Sequence, residues 1–187
     1  MRVSREEAAR SRERIVSVAA RRFRERGYGG IGVADLMHEA GLTHGGFYGH
    51  FSSKEDLMAE ASASAIGESN EKWNKRMASH PEDPLAAMTR FYLNTYHRDN
   101  PGGGCAMAAL ASEAARQAPA VRRTFTDGLR SAFDYIAALV RVRDPAEKRR
   151  KAIVTYASWV GAMVLARATD DAKLSREILD AVARETS

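Results

Sequence analysis

Residues 33–54 read VADLMHEAGLTHGGFYGHFSSK, and this stretch decides the fold. A short helical segment, 33–40, is followed by Gly41-Leu42-Thr43 and by a second short helical segment, 43–50. Two short helices joined by a turn of this length have the spacing of a helix-turn-helix unit. Both segments supply small or apolar residues for packing: Ala34, Leu36, Met37, Ala40, Leu42 and Phe47.

The second segment holds the residues that we expect to face DNA. In a helix-turn-helix unit the second helix enters the major groove, and the residues at its N-terminal end meet base edges. Thr43 is expected to cap this helix and to donate to a phosphate group. The candidates for facing the bases are His44, Gly45 and Gly46, and the donors suited to phosphate oxygens are Tyr48, His50 and Lys54.

The segment before this unit carries all of the net charge. The chain has a formal charge of +5, and residues 1–26 hold nine arginines against four glutamates, while the other 161 residues hold 20 bases and 20 acids. On a helical wheel an arginine face lies opposite the apolar stripe of this segment and comprises Arg10, Arg14, Arg21 and Arg24. We expect Arg2, Arg5 and this face to attract phosphates without regard to sequence. The alternative is a solvated face that never touches DNA, for Arg21 and Arg24 above all.

No segment predicts a β-strand, because the chain lacks sustained alternation of apolar and polar residues. Helical spacing runs from residue 53 to about 77 and returns in later segments, and each of the five prolines lies where such a pattern breaks. These later helices are expected near residues 85–98, 105–117, 120–142, 146–168 and 174–184. The predicted fold class is all-α, with about nine helices.

Size and composition exclude several classes of protein. With 187 residues, of which 44% are hydrophobic and 28% charged, the chain has the composition of a folded domain. The longest uncharged run, Ala152–Ala166, has 15 residues, fewer than the roughly 20 of a membrane-spanning helix. The first residues contain no apolar stretch that would indicate a secretory signal. One cysteine fits a reducing compartment, so we expect a cytoplasmic protein with no membrane partner.

Motifs of catalysis and of cofactor binding are not supported. Gly27–Gly32 matches G-x-G-x-x-G, but a dinucleotide site needs a β-strand before that turn, and here a helix precedes it. The five histidines fall in no zinc-ligand pattern, and no G-x-S-x-G nucleophile motif occurs. We therefore predict a protein that is not an enzyme and has no cofactor and no metal site.

The first 60 residues resemble the TetR family of transcriptional regulators. The residues that carry the resemblance are Ile15, Ala19, Phe23, Gly27, Tyr28, Val33, Leu36, Ala40, Gly41, Leu42, Thr43, Gly45, Phe47, Tyr48, His50, Phe51, Ser53, Lys54, Glu55 and Leu57. The resemblance implies an all-α homodimer that binds a palindromic operator in double-stranded DNA. It also implies two domains: a helix-turn-helix DNA-binding domain over 1–52, and a helical domain over 53–187 for effector binding and dimerisation.

Two positions depart from the pattern of the family. Gly32 stands where Ser or Thr usually opens the second helix, and because glycine is a usable cap we expect only a small loss of stability. Gly45 and Gly46 leave few long side chains at the base-reading end. His44 then becomes the leading candidate for direct base contact, with a phosphate contact as the competing role, and DNA shape carries more of the specificity.

Helical stripes of apolar residues in 85–98 and 120–142 indicate mostly core. Among them we expect an effector pocket lined by Trp73, Tyr92, Tyr96, Cys105 and Phe125. Because the sequence shows no cluster of charges in this region, the expected effector is a small apolar or aromatic molecule.

Cys105 follows three glycines at the start of a predicted helix. A helix N-terminus lowers the pKa of a thiol and makes it more reactive, so an oxidant or electrophile is an alternative effector. The competing role is that of a small buried apolar residue.

The run Ala152–Ala166 is apolar nearly all round, so other helices must cover several of its faces. We expect it to form the dimer interface with the last helix, in a bundle of two helices from each subunit. The residues assigned to this interface are Tyr156, Val160, Val164, Ile178 and Val182. The competing interpretation is a central buried helix of the monomer.

These features together predict a ligand-responsive DNA-binding transcriptional regulator, a repressor released from its operator by the effector. The alternative is a small-molecule-binding or oligomerisation protein whose helix-turn-helix unit no longer reads a specific site.

Overall fold

The computed structural model describes residues 4–186, and within them it forms helices and connecting turns, as the sequence predicts. The nine α-helices of this part are α1 (Arg5–Arg26), α2 (Val33–Glu39), α3 (Lys54–Ala78), α4 (Pro84–Tyr92), α5 (Thr95–Asp99), α6 (Ala106–Ala114), α7 (Pro119–Leu139), α8 (Pro145–Ala168) and α9 (Ala172–Thr186). Two 3₁₀-helices, His44–Gly49 and Pro101–Gly103, lie between α2 and α3 and between α5 and α6. The prediction of an all-α fold with about nine helices is confirmed.

Local sequence signals account for most helix starts. The Ser4 hydroxyl accepts the backbone N–H of Glu7 at 3.1 Å, and the Ser53 hydroxyl accepts that of Asp56 at 3.1 Å. These bonds satisfy backbone groups that a helix leaves unpaired in its first turn. Helices α4, α7 and α8 each begin at a proline, which has no N–H to lose at that position.

The turn inside the helix-turn-helix unit depends on Gly41, whose φ of +71° lies in the left-handed region. The Gly41 N–H donates to the His38 carbonyl at 3.0 Å, and the Leu42 N–H donates to the Met37 carbonyl at 2.9 Å. A residue with a Cβ is strained in this conformation, so glycine here sets the angle between α2 and the next helix.

Two predicted helices differ from the structure. The segment 85–98 is not one helix, because Leu93 leaves helical geometry and the Asn94 side chain accepts the His97 N–H at 2.8 Å to begin α5. The segment 43–50 is a 3₁₀-helix over His44–Gly49 rather than an α-helix. Its three glycines offer little side chain to hold the wider α-helical turn, and glycine is a poor helix former.

The central element of the fold is α3, which packs against α1 on one side and against α7 on the other. Helix α8 packs between α7 and α9. One continuous apolar core joins these layers, from Ile15 and Phe47 near the helix-turn-helix unit to Trp159 in α8. The helices in residues 4–186 include none with the length and apolarity that a bilayer crossing requires.

Candidate nucleic-acid interface and ligand cavity

The 3₁₀-helix after α2 presents a continuous exposed edge. Thr43, His44 and Gly45 are exposed, and the Tyr48 side chain is 71% exposed although tyrosine is usually at least half-buried. An added Cβ on Gly45 would meet no atom within 4 Å. The edge therefore combines hydroxyl and imidazole groups with bare backbone, which suits close approach to a groove.

Aromatic packing beneath this edge fixes its position. Phe47 is buried and stacks on Phe51 with ring centroids 5.5 Å apart, and Tyr48 meets Phe47 edge to face at 5.3 Å. The Arg12 guanidinium lies 4.2 Å from the Phe51 ring centroid and donates to the His50 carbonyl. It also pairs with Glu60 on α3. Arg12 thus joins α1, the 3₁₀-helix and α3, and the His50 ring is left half-buried beside them.

Lys54, predicted to contact phosphate, binds backbone instead. Its ammonium donates to the Tyr28 carbonyl at 2.6 Å and to the Ile31 carbonyl at 2.8 Å. Two of its three donors therefore hold the connection between α1 and α2. A phosphate contact from the remaining donor stays a prediction.

Other arginines of residues 1–26 have different surroundings. Arg5, Arg10 and Arg14 are exposed. Arg21 and Arg22 lie near Glu39, with Arg22 Nε 2.6 Å from the carboxylate. Arg2 lies outside the described residues.

The helical wheel placed Arg24 on an arginine face opposite the apolar stripe, but in the structure Arg24 is not solvated. It is buried and pairs with Glu68 on α3 at 2.9 Å. It also donates to the Ala20 carbonyl at 2.9 Å and to the Gly104 carbonyl at 3.1 Å. Those acceptors satisfy the guanidinium, and partners of this kind are what burial of an arginine requires.

The acceptor at Gly104 belongs to a glycine loop, Pro101–Gly104, that packs against α1. Gly102 and Gly104 are buried. An added Cβ on Gly104 would lie 2.7 Å from the His97 ring, and one on Gly102 would collide with the Glu25 carboxylate. The loop is therefore pressed between α1 and α5.

Beside this loop lies an open cavity of about 610 Å³, lined by α3, α4, α5 and the glycine loop. Four of the five residues predicted for the pocket line this aromatic cavity: Trp73, Tyr92, Tyr96 and Cys105. Trp73 and Tyr92 are buried, while Tyr96 stands at the mouth with its side chain 77% exposed.

The deep end of the cavity contains a bonded cluster around Cys105. The buried Cys105 thiol lies 3.4 Å from the Tyr156 hydroxyl, and the Cys105 N–H donates to His97 Nε2 at 3.0 Å. His97 Nδ1 must then carry the proton that binds the Tyr92 carbonyl at 2.7 Å. Burial is the main cause that lowers the pKa of His97 to about 4, against the Tyr92 bond that raises it. His97 is therefore neutral at pH 7.

The fifth predicted pocket residue, Phe125, does not reach this cavity. It lines a separate groove of about 500 Å³ between α6, α7 and α8. Phe125 therefore does not line the aromatic cavity, and a ligand-binding role for Phe125 in its own groove stays a prediction.

The sequence missed three cations of the cavity, Lys72, Lys75 and Arg76. They flank Trp73 on α3, and residues three and four apart share a helix face. The prediction that no charges converge here was therefore wrong. The spacing on α3 was a usable signal, but the chain had to fold back at α4 before these cations and the aromatic rings could meet.

Tyr156, predicted for the dimer interface, is buried inside the chain with 4% of its surface exposed. Its ring lies 5.8 Å from that of Trp73 and 6.0 Å from that of Phe133, so its assignment to the interface was wrong. Of the other assigned residues, Val164 is 43% exposed, and those that are partly buried are Val160, Ile178 and Val182.

Helix α8 has an apolar face that no described element covers fully. The large side chains exposed on it are Ile153, Val154, Val164 and Leu165, and Leu174 is exposed on α9. The first four recur along one side of α8, opposite the buried Ala152, Trp159 and Ala166. Their spacing could have identified this face, but an all-apolar helix does not show which side looks inward.

Within residues 4–186, no group of three or more His, Cys, Asp or Glu side chains is placed to hold a metal ion.

The chain is similar to known transcriptional regulators. Residues 15–61 match the family described as bacterial regulatory proteins, tetR family. The HTH-type transcriptional regulator TtgR of Pseudomonas putida is 32% identical over 98 residues, which are 52% of this chain and 46% of TtgR. The chain thus spans about half the length of such relatives. The HTH-type transcriptional repressor NemR of Escherichia coli is 25% identical over 167 residues, 84% of each chain.

The whole fold is also found in solved structures. The crystal structure of a TetR transcriptional regulator from Chloroflexus aurantiacus superposes with a TM-score of 0.79 and 26% sequence identity. The match covers 96% of this chain and 95% of the other. The similarity therefore extends beyond the helix-turn-helix unit to the helical second half.

Proposed function

On the premise that this chain belongs to the TetR family of bacterial regulatory proteins, we propose that it is a DNA-binding transcriptional repressor. This repressor leaves its operator when a small molecule fills the aromatic cavity. The observation that carries the proposal is the exposed edge of Thr43, His44, Gly45 and Tyr48, which packs on buried Phe47 and is bound by Arg12 at the His50 carbonyl. In a helix-turn-helix unit the second helix presents its N-terminal residues to base edges in the major groove.

In this proposal His44 contacts a base edge, and Gly45 and Gly46 let the backbone approach the groove. The Thr43 and Tyr48 hydroxyls and the His50 ring donate to phosphates, and Lys54 adds its remaining donor. Arg2 and Arg5 supply attraction that is independent of sequence.

We further propose a homodimer that brings two such edges to adjacent half-sites of a palindrome. Its interface would be the outward face of α8 together with α9, with Val160, Val164, Ile178 and Val182 at or near the contact. An exposed apolar face of this extent favours a partner surface. In a two-fold dimer the same face of each copy meets the other.

The two proposed domains, 1–52 and 53–187, meet where α1 contacts α3, α6 and the glycine loop. Tyr28 takes part through its N–H, which donates to Glu113 on α6 at 2.8 Å. These contacts support a route by which an effector in the cavity changes the spacing of the two recognition edges. The effector can shift this equilibrium only by its different affinity for the two states.

Cys105 offers a second, thiol-reactive trigger at the same cavity. Alkylation would add bulk between Tyr92 and Tyr156, where the side chains are close-packed. Replacing Cys105 with Ser should abolish operator release by a thiol alkylator and leave release by a non-covalent effector. Release of the Cys105→Ser variant by the alkylator would remove this trigger from the proposal.

Selection of bound duplexes from a random DNA pool tests the proposed function, with the protein expressed in a bacterial cytoplasm. A palindromic consensus bound with a linear dependence on log salt supports it. Binding without sequence preference supports instead a small-molecule-binding or oligomerisation protein that no longer reads a specific site.

A further inference from the structure

The aromatic cavity has one charged wall, and it is positive. Lys72, Lys75 and Arg76 line it from α3. None of the residues that line it is acidic, and no described carboxylate lies within 4.0 Å of these three cations. Lys72 donates only to the Gly103 carbonyl at 2.8 Å, and the Arg76 guanidinium lies 5.0 Å from the Phe91 ring centroid.

The lining of the cavity is also aromatic and includes a hydroxyl donor without a partner in the described residues. Trp73 and Tyr92 are buried there beside Cys105. The Tyr92 hydroxyl is buried and makes no hydrogen bond within residues 4–186. A buried hydroxyl without a partner costs free energy, and a polar group of a bound molecule would remove that cost. Burial raises the pKa of Tyr92 well above that of a free phenol, so the group would act as a donor at pH 7.

We propose that the cavity binds an aromatic carboxylate, with the carboxylate held by Lys72, Lys75 and Arg76 and the ring against Trp73 and Tyr92. This inference rests on the proposed function and replaces an uncharged effector by an anionic one. A cavity of about 610 Å³ is of the size that holds a drug-sized molecule. Charge-assisted hydrogen bonds from three cations give the carboxylate an advantage over a neutral group of the same shape.

Matched probes test the charge directly. Binding of 2-naphthoate and of neutral 2-naphthamide to the full chain is measured by calorimetry and by quenching of tryptophan fluorescence at low and high salt. We expect 2-naphthoate to bind at least about tenfold more tightly, with the advantage shrinking at high salt. Equal affinity for both probes, or binding of neither, overturns the proposal.

Variants locate the anion. Lys72→Gln, Lys75→Gln and Arg76→Gln should each weaken 2-naphthoate binding by about three- to tenfold and leave 2-naphthamide binding unchanged. Lys148→Gln on α8, outside the cavity, is the matched control and should change neither. Since Lys75 and Arg76 also lie in the last turn of α3, thermal melts of each variant are recorded. A lower melting temperature with unchanged affinity means that the cations serve only the helix end, and it overturns the proposal.

DNA binding is measured separately on the same preparations. Loss of sequence-specific binding with retained preference for 2-naphthoate contradicts the proposed function but not the ligand class. Sequence-specific DNA binding without a preference for 2-naphthoate contradicts the proposed ligand class but not the proposed function.

Discussion

The Arg24 guanidinium donates to the carbonyl oxygen of Gly104 at 3.1 Å, across 80 residues of sequence. Arg24 belongs to the helix that supports the DNA-facing unit, and Gly104 immediately precedes the cysteine of the aromatic cavity. Because Glu68 on α3 completes the pair, one buried side chain touches both functional regions and the helix that connects them.

Arg24→Met should lower the free energy of unfolding by about 2 kcal/mol, because the Ala20 and Gly104 carbonyls lose a buried donor. Chemical denaturation measures the change. Arg21→Met, at an exposed position on the same helix, is the control and should stay within about 0.5 kcal/mol of the native chain. Equal effects of the two substitutions would contradict the role assigned to Arg24.

We expect α1 to supply attraction to any DNA, and the exposed edge of Thr43, His44, Gly45 and Tyr48 to supply the preference for one site. Arg5→Gln and Arg10→Gln should weaken binding to all duplexes by a similar factor and lower the salt slope by about 1 for each phosphate that is no longer neutralised. His44→Ala should instead weaken the preferred site by about 1–3 kcal/mol relative to other sequences. Fluorescence anisotropy measures both, with Arg123→Gln as the control. An equal loss of affinity for all sequences in the His44→Ala variant would indicate that His44 contacts a phosphate and not a base.

Acid should destabilise the fold through His97. Its pKa falls from 6.5 to about 4 in the folded state, mainly through burial. Between these values the unfolded state binds more protons, so the stability that neutral His97 contributes is full above pH 6.5 and is lost as the pH falls toward 4. The loss is at most about 3 kcal/mol.

Urea denaturation of the native chain and of His97→Gln, at intervals from pH 7 to pH 4, isolates this effect from the titration of carboxylates. The stability advantage of the native chain should narrow steadily across this range. A constant difference between the two curves would show that His97 does not titrate as described.

Val154→Glu and Leu165→Glu should dissociate the proposed dimer. A carboxylate buried in the interface without a partner costs roughly 3 kcal/mol or more, so the dissociation constant should rise at least about 100-fold. Sedimentation velocity measures the oligomeric state, with Asn74→Glu on α3 as the control. Dimers that survive both substitutions would place the interface elsewhere.

Local signals predicted the all-α fold and the helix-turn-helix unit well, because each is encoded by neighbouring residues. Gly41 lies in the turn between the two short helical segments and Phe47 packs inward, and both assignments needed only spacing and residue type. The break at Asn94 was missed because the apolar spacing of 85–98 continues through it, while a single side-chain bond ends one helix and begins the next.

Side-chain burial in the second half could not be predicted in the same way. Helix α8 is apolar nearly all round, so its sequence does not show that Tyr156 faces inward and Val154 outward. Arg24 looks solvent-facing until Glu68 and Gly104 are brought to it by distant parts of the chain. The positive wall of the cavity likewise depends on tertiary contacts between α3 and the segment 91–105.

The glycine loop leaves little space for side chains between α1 and α5. Three successive glycines usually indicate a flexible segment. Here Gly102 lies against the Glu25 side chain of α1, and Gly104 lies against the His97 ring of α5. A side chain at Gly104 would therefore collide with the His97 ring, and one at Gly102 would displace the Glu25 carboxylate. Gly104→Ala would place a methyl group 2.7 Å from the His97 ring, so either this ring or the loop that carries the acceptor of Arg24 would have to move.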